Sequence, residues 1–235
     1  MTIELRDLSG MTEFRAAEDL QRQVWGEGDR EDPADLMMVI QHEGGLVAGA
    51  FEDDTLLGYV FGFPTVTPGV QHSHRLAVLA RARGLGLGLR LKWYQRDWCL
   101  ARGITHVRWT YDPLRLANAA LNIHRLGASS QTYLPNYYGE MEGINKGAPS
   151  DRLMADWHLQ SPRVVAAAAG QPLPPDRVAE EIEIPADFGD MMIHAPEMAQ
   201  ALRLENRAQM QAAFAAGLRI TGFDSARRCY LLSRA

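Results

Sequence analysis

A chain of 235 residues, 46% hydrophobic and 23% charged, holds enough apolar mass for one large domain, or a domain with an extension, and too much for disorder. A formal charge of −5 without clustered Lys or Arg argues against nucleic acid as a partner, because such clusters supply most of that affinity. Two cysteines, Cys99 and Cys229, cannot build a disulfide framework; with no apolar signal core and no run of about 18 apolar residues, the expected setting is the cytoplasm, with no membrane segment.

Residues 2–8 alternate Ile3 and Leu5 with polar neighbours and read as a first strand. Phe14, Ala17, Leu20 and Val24 fall at helical spacing, which predicts a helix over 11–25. Residues 27–33 are acidic and rich in breakers, hence a loop; 34–42 form a short helix stopped at Gly44-Gly45. Residues 46–52 and 56–65 read as a hairpin around Asp53-Asp54. His72-x-His74 can place two imidazoles on one strand face, but a metal site needs three or four ligands, and no third stands at ligand spacing nearby; no metal is expected.

The apolar run Leu76-Ala77-Val78-Leu79 predicts a strand, and Arg81-Ala82-Arg83-Gly84-Leu85-Gly86-Leu87-Gly88 follows it as a glycine-rich elbow. Leu87, Leu91, Tyr94, Trp98 and Ala101 then repeat at helical spacing up to Gly103. Strand, glycine turn and helix together aim backbone N–H groups at an anion, because the first turn of a helix has unpaired donors and a partly positive end. The glycines alternate as G-x-G-x-G, which is neither the dinucleotide fingerprint nor a P-loop ending in Gly-Lys-Ser/Thr.

Residues 104–111 alternate as a strand, Asp112-Pro113 breaks it, and 114–126 read as a helix carrying Leu116, Ala120 and Ile123 on one side. Residues 131–139 are aromatic and turn-rich, 143–150 form a loop, and 151–159 alternate as a strand. Residues 161–176 read as a Pro/Ala linker. Beyond it come a strand at 178–184, a loop at 185–193, a helix from Pro196 to about residue 216, and a closing hairpin around Asp224-Ser225. This β-α-β extension, 177–235, is too small to be comfortable alone and is expected to dock on the first domain or a partner subunit.

Arg83-x-x-Gly86-x-Gly88 between strand and helix, followed by a strand and a helix ending in Leu126-Gly127, resembles the acyl-CoA loop and core order of the GNAT superfamily of N-acetyltransferases over residues 1–160. The resemblance implies an α/β fold, with a mixed, mostly antiparallel sheet flanked by helices. It also implies acetyl-CoA or another acyl-CoA, succinyl-CoA included, as co-substrate. The cofactor would meet the strand at Leu76 and Val78, the loop at Arg81, Arg83, Gly84, Leu85, Gly86, Leu87 and Gly88, and the second helix at Asn118 and Asn122. The acceptor would be the amine of a small molecule or amino acid, entering over residues 25–35. Arg75, Arg108 or Arg115 would pair any acceptor carboxylate. The chain could act as a homodimer.

Many members of that superfamily carry a general-acid tyrosine four residues before the Leu-Gly glycine. Here the position is Ile123, which cannot donate a proton. Proton transfer is therefore expected from His74, then Tyr111, then His124. The missing tyrosine and the extension leave a second reading open, a catalytically silent CoA-binding or assembly module.

Overall fold

The computed structural model describes residues 2–26, 30–139, 149–173 and 176–234. The chain folds as two compact units, Met1–Arg108 and Trp109–Ala235. In the first, β1 (Ile3–Asp7), β2 (Leu46–Glu52), β3 (Thr55–Pro64) and β4 (Val70–Val78) pair antiparallel in chain order. The start of β5 (His106–Tyr111) lies parallel to β4. A parallel pair needs a crossover, and α3 (Leu87–Leu100) supplies it.

α1 (Gly10–Trp25) begins where Glu13 accepts from the Ser9 N–H at 2.8 Å while Arg6 grips the same carboxylate with two bonds of 2.8 Å. It buries Phe14, Ala17 and Leu20, and α2 (Ala34–His42) buries Met37. Both helices pack on Phe51, Tyr59, Phe61 and Ala77 of the sheet. α3 buries Leu87, Leu91, Trp98 and Cys99, and both Tyr94 and Trp98 donate to the Asp7 carboxylate, at 2.8 and 3.3 Å. The expected strand 76–79 is the end of a longer one. Its earlier inward residues, Gln71 and Ser73, are polar, so no apolar alternation announced them.

In the second unit, the end of β5 is followed in sheet order by β7 (Arg152–His158), β6 (Ser129–Leu134), β9 (Leu218–Asp224), β10 (Cys229–Arg234) and β8 (Val178–Glu183). The expected helix 114–126 is an α-turn, α4 (Leu116–Ala119), that widens into a π-helix at Ala120–Arg125; Leu126 N–H donates to Leu121 at 2.9 Å. Gly127 takes φ +70°, and a Cβ there would stand 3.1 Å from the Arg163 carbonyl oxygen, so only glycine suits both demands.

The segment read as a linker opens with α5 (Pro162–Ala168), because the Ser161 hydroxyl caps Val164 N–H at 3.4 Å and Pro162 suits the first turn. The loop expected at 185–193 contains α6 (Phe188–His194), capped by Asp187 on Asp190 N–H at 2.9 Å. α7 (Pro196–Ala215) follows. Residues 27–29 of the first predicted loop and 143–148 of the later one lie outside the described residues.

The extension shares its sheet and its ion pairs with residues 109–160. Arg203 meets Asp112, Arg207 meets the fully buried Asp151, and Tyr230 donates to the Pro113 carbonyl at 2.8 Å. Among the described residues no helix is long and apolar enough to cross a membrane.

Candidate active site

After β4 the chain makes a single 3-10 turn at Ala80–Ala82, extends at Arg83, and enters left-handed backbone at Gly84 (φ +88°) and Gly86 (φ +70°). Gly86 stands directly before α3. The helix's first backbone bond runs from Arg90 N–H to Gly86 at 3.0 Å, so the N–H groups of Leu87, Gly88 and Leu89 precede the helical ladder. Arg81, Arg83, Gly84, Leu85 and Gly86 are exposed around this end. Ideal Cβ atoms at Gly84 and Gly86 would meet nothing within 4 Å, which leaves the loop's outer side open to a ligand. Positive dipole, unpaired donors and nearby guanidinium groups make an anion cradle. Gly88 is ordinary helix, and its Cβ would stand 3.8 Å from Leu76.

The parallel ladder with β5 covers only Val70 to His72, whereas β4 runs on to Val78. In that stretch the β3 register slips: Phe61 opposes Arg75 but Gly62 opposes Ser73, so His74 is the extra residue of a β-bulge. A regular strand would point His74 and Arg75 to opposite faces. The bulge lets both reach Asp32, with His74 Nε2 at 3.2 Å from Oδ1 and Arg75 Nε at 2.9 Å from Oδ2. Arg75 also donates to the Arg30 carbonyl at 2.6 Å and lies 4.8 Å from the Trp25 ring. Gln21 fixes Asp32 from behind by accepting from its N–H at 2.8 Å. Burial pushes the Asp32 carboxyl up, but its interactions with His74 and with the Arg75 guanidinium outweigh it and hold it below its usual range.

His74 borders an aromatic wall. Its ring is 5.5 Å from Phe61, 5.6 Å from Phe63 and 6.1 Å from His72. Burial, then the charges of His74, Arg108 and Lys92, push His72 down to about 4, so it is neutral at pH 7. The arrangement therefore offers one histidine oriented by a carboxylate, one neutral histidine, and an apolar face.

On the other side of β4 lies a polar group that the sequence did not announce. Lys92 is 2% exposed and its Nζ donates to Ser73 Oγ at 3.0 Å and Gln95 Oε1 at 2.7 Å. Gln95 passes the chain to Gln71 at 2.7 Å, on which Cys99 also rests. Burial pushes Lys92 down to about 7 and the Cys99 thiol up to about 12. Above pH 7 the folded amine is neutral while the unfolded one still holds its proton. The unfolded state then binds the extra proton, and stability rises with pH, by about 1.4 kcal/mol per unit. The rise should hold from about pH 7 to about 8.5, where unfolded Cys99 begins to ionise and opposes it. Urea midpoints across that window should climb in the wild type and stay flat in Lys92→Met; parallel profiles would place the charged amine in the fold.

The remaining expected residues belong to the second unit. Tyr111 is 5% exposed, and burial pushes its hydroxyl above the ordinary range against the lowering effect of Tyr230. His124 is exposed, Asn118 half-buried, Asn122 5% exposed, and Ile123 fully buried. The His74–Asp32 pair joins residues 42 apart in sequence. The only signal for it was the acidic loop set before the first paired strands.

A strand that passes through a glycine loop into a helix N-terminus makes an anion-binding end, and the family match gives the class, an acyl-CoA-dependent N-acetyltransferase. Residues 12–128 match the acetyltransferase (GNAT) family, and the chain belongs to it. Solved structures share the fold at low identity. They include the ribosomal-protein-S18-alanine N-acetyltransferase of Escherichia coli, 17% identical over 68% of this chain and 96% of that one, TM-score 0.55. The yncA protein of Salmonella typhimurium, solved with its cofactor acetyl-CoA, is 17% identical over 68% and 96%, TM-score 0.54. The aminoglycoside 6'-N-acetyltransferase of Enterococcus faecium is 18% identical over 68% and 98%, TM-score 0.52. No curated protein matches the sequence.

Proposed function

We propose that the protein moves a short acyl group, acetyl or succinyl, from coenzyme A to the amino group of a small molecule or amino acid. The observation that carries this reading is the cradle: exposed arginines, two left-handed glycines and a bare helix N-terminus directly after the central strand. It suits a pyrophosphate, and the β4 edge beyond His72 suits the thioester end. Two structural relatives, a ribosomal-protein-S18-alanine N-acetyltransferase and an aminoglycoside 6'-N-acetyltransferase, support an amine acceptor at that coarse level. The two free, buried cysteines fit a reducing cytoplasm.

In the proposed reaction the neutral amine attacks the thioester carbonyl carbon, the new C–N bond forms, and the C–S bond breaks. Coenzyme A leaves as a thiolate, tolerable because a free thiol has a pKa of about 8.5. The amine's surplus proton goes to His74 Nδ1, while Asp32 holds the Nε2–H and so selects that tautomer. Phe61, Phe63 and neutral His72 would form the apolar wall for the acceptor's body. Arg75 is engaged by Asp32 and Arg30, so its role here is to hold the acidic loop. Tyr111 and His124 take no step in this scheme.

The test is amine-dependent thiol release with acetyl-CoA and succinyl-CoA. His74→Gln should lower kcat by about 10²-fold with little change in KM for the acyl donor. An unchanged kcat would remove His74 from proton transfer. Coenzyme A binding without thiol release for any amine would favour the silent module, whose sequence mark is Ile123.

A further inference from the structure

Behind the bulge that displaces His74, β4 turns a polar seam toward α3. Gln71 and Ser73 of the strand are buried there against Lys92, Gln95 and Cys99 of the helix. Besides accepting from Lys92, Ser73 Oγ donates to Gln95 Oε1 at 3.1 Å. The seam also fills the space at Gly62, which pairs with Ser73 at the edge of the register slip. A Cβ on Gly62 would stand 2.8 Å from Gln71 Oε1 and 3.0 Å from Gln95 Nε2. Beyond the bulge the parity of the strand changes. Regular alternation from Gln71 and Ser73 would turn Arg75 and Ala77 to α3. Instead Leu76 and Val78 turn there, 3.8 and 3.9 Å from where a Cβ on Gly88 would be, and Ala77 joins the core under α1 and α2.

The strand thus has a polar grip before the bulge and an apolar one after it, and one extra residue between the two satisfies both. That residue is His74. As packing the seam is a poor device, because apolar side chains of the same size would fill this interface at least as well; the use that buried polar groups serve best is to fix register. A one-residue slip would pull Ser73 away from Lys92 and Gln95 and leave buried donors unmade, which costs more than the bonds themselves contribute. We propose that Lys92 and Gln95 are positioning residues for His74: they hold Ser73 from the back of β4, so that the bulge delivers the His74 imidazole to Asp32. The consequence for catalysis rests on the acyl-transfer reading, whereas the orientation of the ring does not.

The test follows the imidazole nitrogens of the full chain by NMR, above the ordinary imidazole range of pH, with His74 assigned by its loss in His74→Gln. Amine-dependent thiol release is measured alongside. In the wild type His74 should hold one tautomer, protonated at Nε2. Lys92→Met keeps the length of the side chain and loses its donors, and it should give the mixed-tautomer spectrum that Asp32→Ala gives. Its kcat should fall about tenfold, with KM for the acyl donor unchanged within about twofold. Lys92→Gln, which can still donate to Ser73 Oγ, should recover most of both. Cys99→Ala lies in the same seam but loses only a bond to Gln71, so it should lower stability and leave the His74 spectrum and kcat unchanged. In a His74→Gln background, Lys92→Met should cost less than about twofold more, because a residue that acts through another loses its effect with it. If Lys92→Met fails to fold, Ser73→Ala removes the gripped hydroxyl and carries the same comparisons. A His74 spectrum unchanged in Lys92→Met, the same change in Cys99→Ala, or a loss of about tenfold added to that of His74→Gln would overturn the positioning role. If no amine releases thiol from the wild type, the acyl-transfer reading fails by itself, and the spectra alone decide whether the seam orients His74.

Discussion

Replacing Gly86 with glutamate should abolish the thermal stabilisation that acyl-CoA confers. Coenzyme A at about 100 times its dissociation constant should add roughly 2.7 kcal/mol to the wild-type protein. Two effects remove it. Gly86 sits at φ +70°, where an L side chain costs about 1–2 kcal/mol, and this loosens the turn that aims the first N–H groups of α3. The larger effect is electrostatic: a Cβ at residue 86 meets no protein atom within 4 Å, so the new carboxylate projects into the open cradle and repels a pyrophosphate. Gly86→Asn separates the two, because asparagine tolerates left-handed backbone and carries no charge. It should keep most of the ligand-induced shift that Gly86→Glu loses. A full shift with glutamate at 86 would mean that the anion binds elsewhere.

The cradle was legible because its demands are local. Left-handed turns write themselves as glycine at 84 and 86, and the helix behind them repeats Leu87, Leu91 and Trp98 on one face. The oriented histidine was not legible. His74 reaches Asp32 only because the strand slips register against β3, and register belongs to two strands, not to one. Lys92 was hidden for a related reason. Beside Leu91 on a helix it reads as a solvent-facing lysine, and it is buried because Gln71 and Ser73 turn polar groups inward from β4. In the second unit β7, β8, β9, β10 and the long helix followed their patterns; β6 lies largely in the stretch read as aromatic and turn-rich, and α5 and α6 depended on single caps, Ser161 and Asp187, that a short apolar run does not advertise.

The extension's attachment lies furthest from what a sequence shows, and it sets the largest expected loss of stability. Asp112→Ala should destabilise the protein by about 3–5 kcal/mol. Arg203 is 3% exposed in its side chain and meets Asp112 through two bonds, of 3.2 and 2.8 Å, between residues 91 apart in sequence. Its guanidinium also lies 4.6 Å from the Phe188 ring, and Asp112 accepts from Leu114 N–H at 2.9 Å. Removing the carboxylate leaves a guanidinium in the interior without its counter-ion and frees the turn after β5. The double change Asp112→Leu with Arg203→Met should recover much of the loss, because two apolar groups leave no charge unpaired. By contrast Arg227→Ala, which breaks the exposed pair with Glu181, should leave the urea midpoint within error. If Asp112→Ala behaved like Arg227→Ala, the pair would be too well hydrated to hold α7. If it behaves as expected, the same argument forbids trimming the chain at the extension, since that would strand Asp112 and the fully buried Asp151 together.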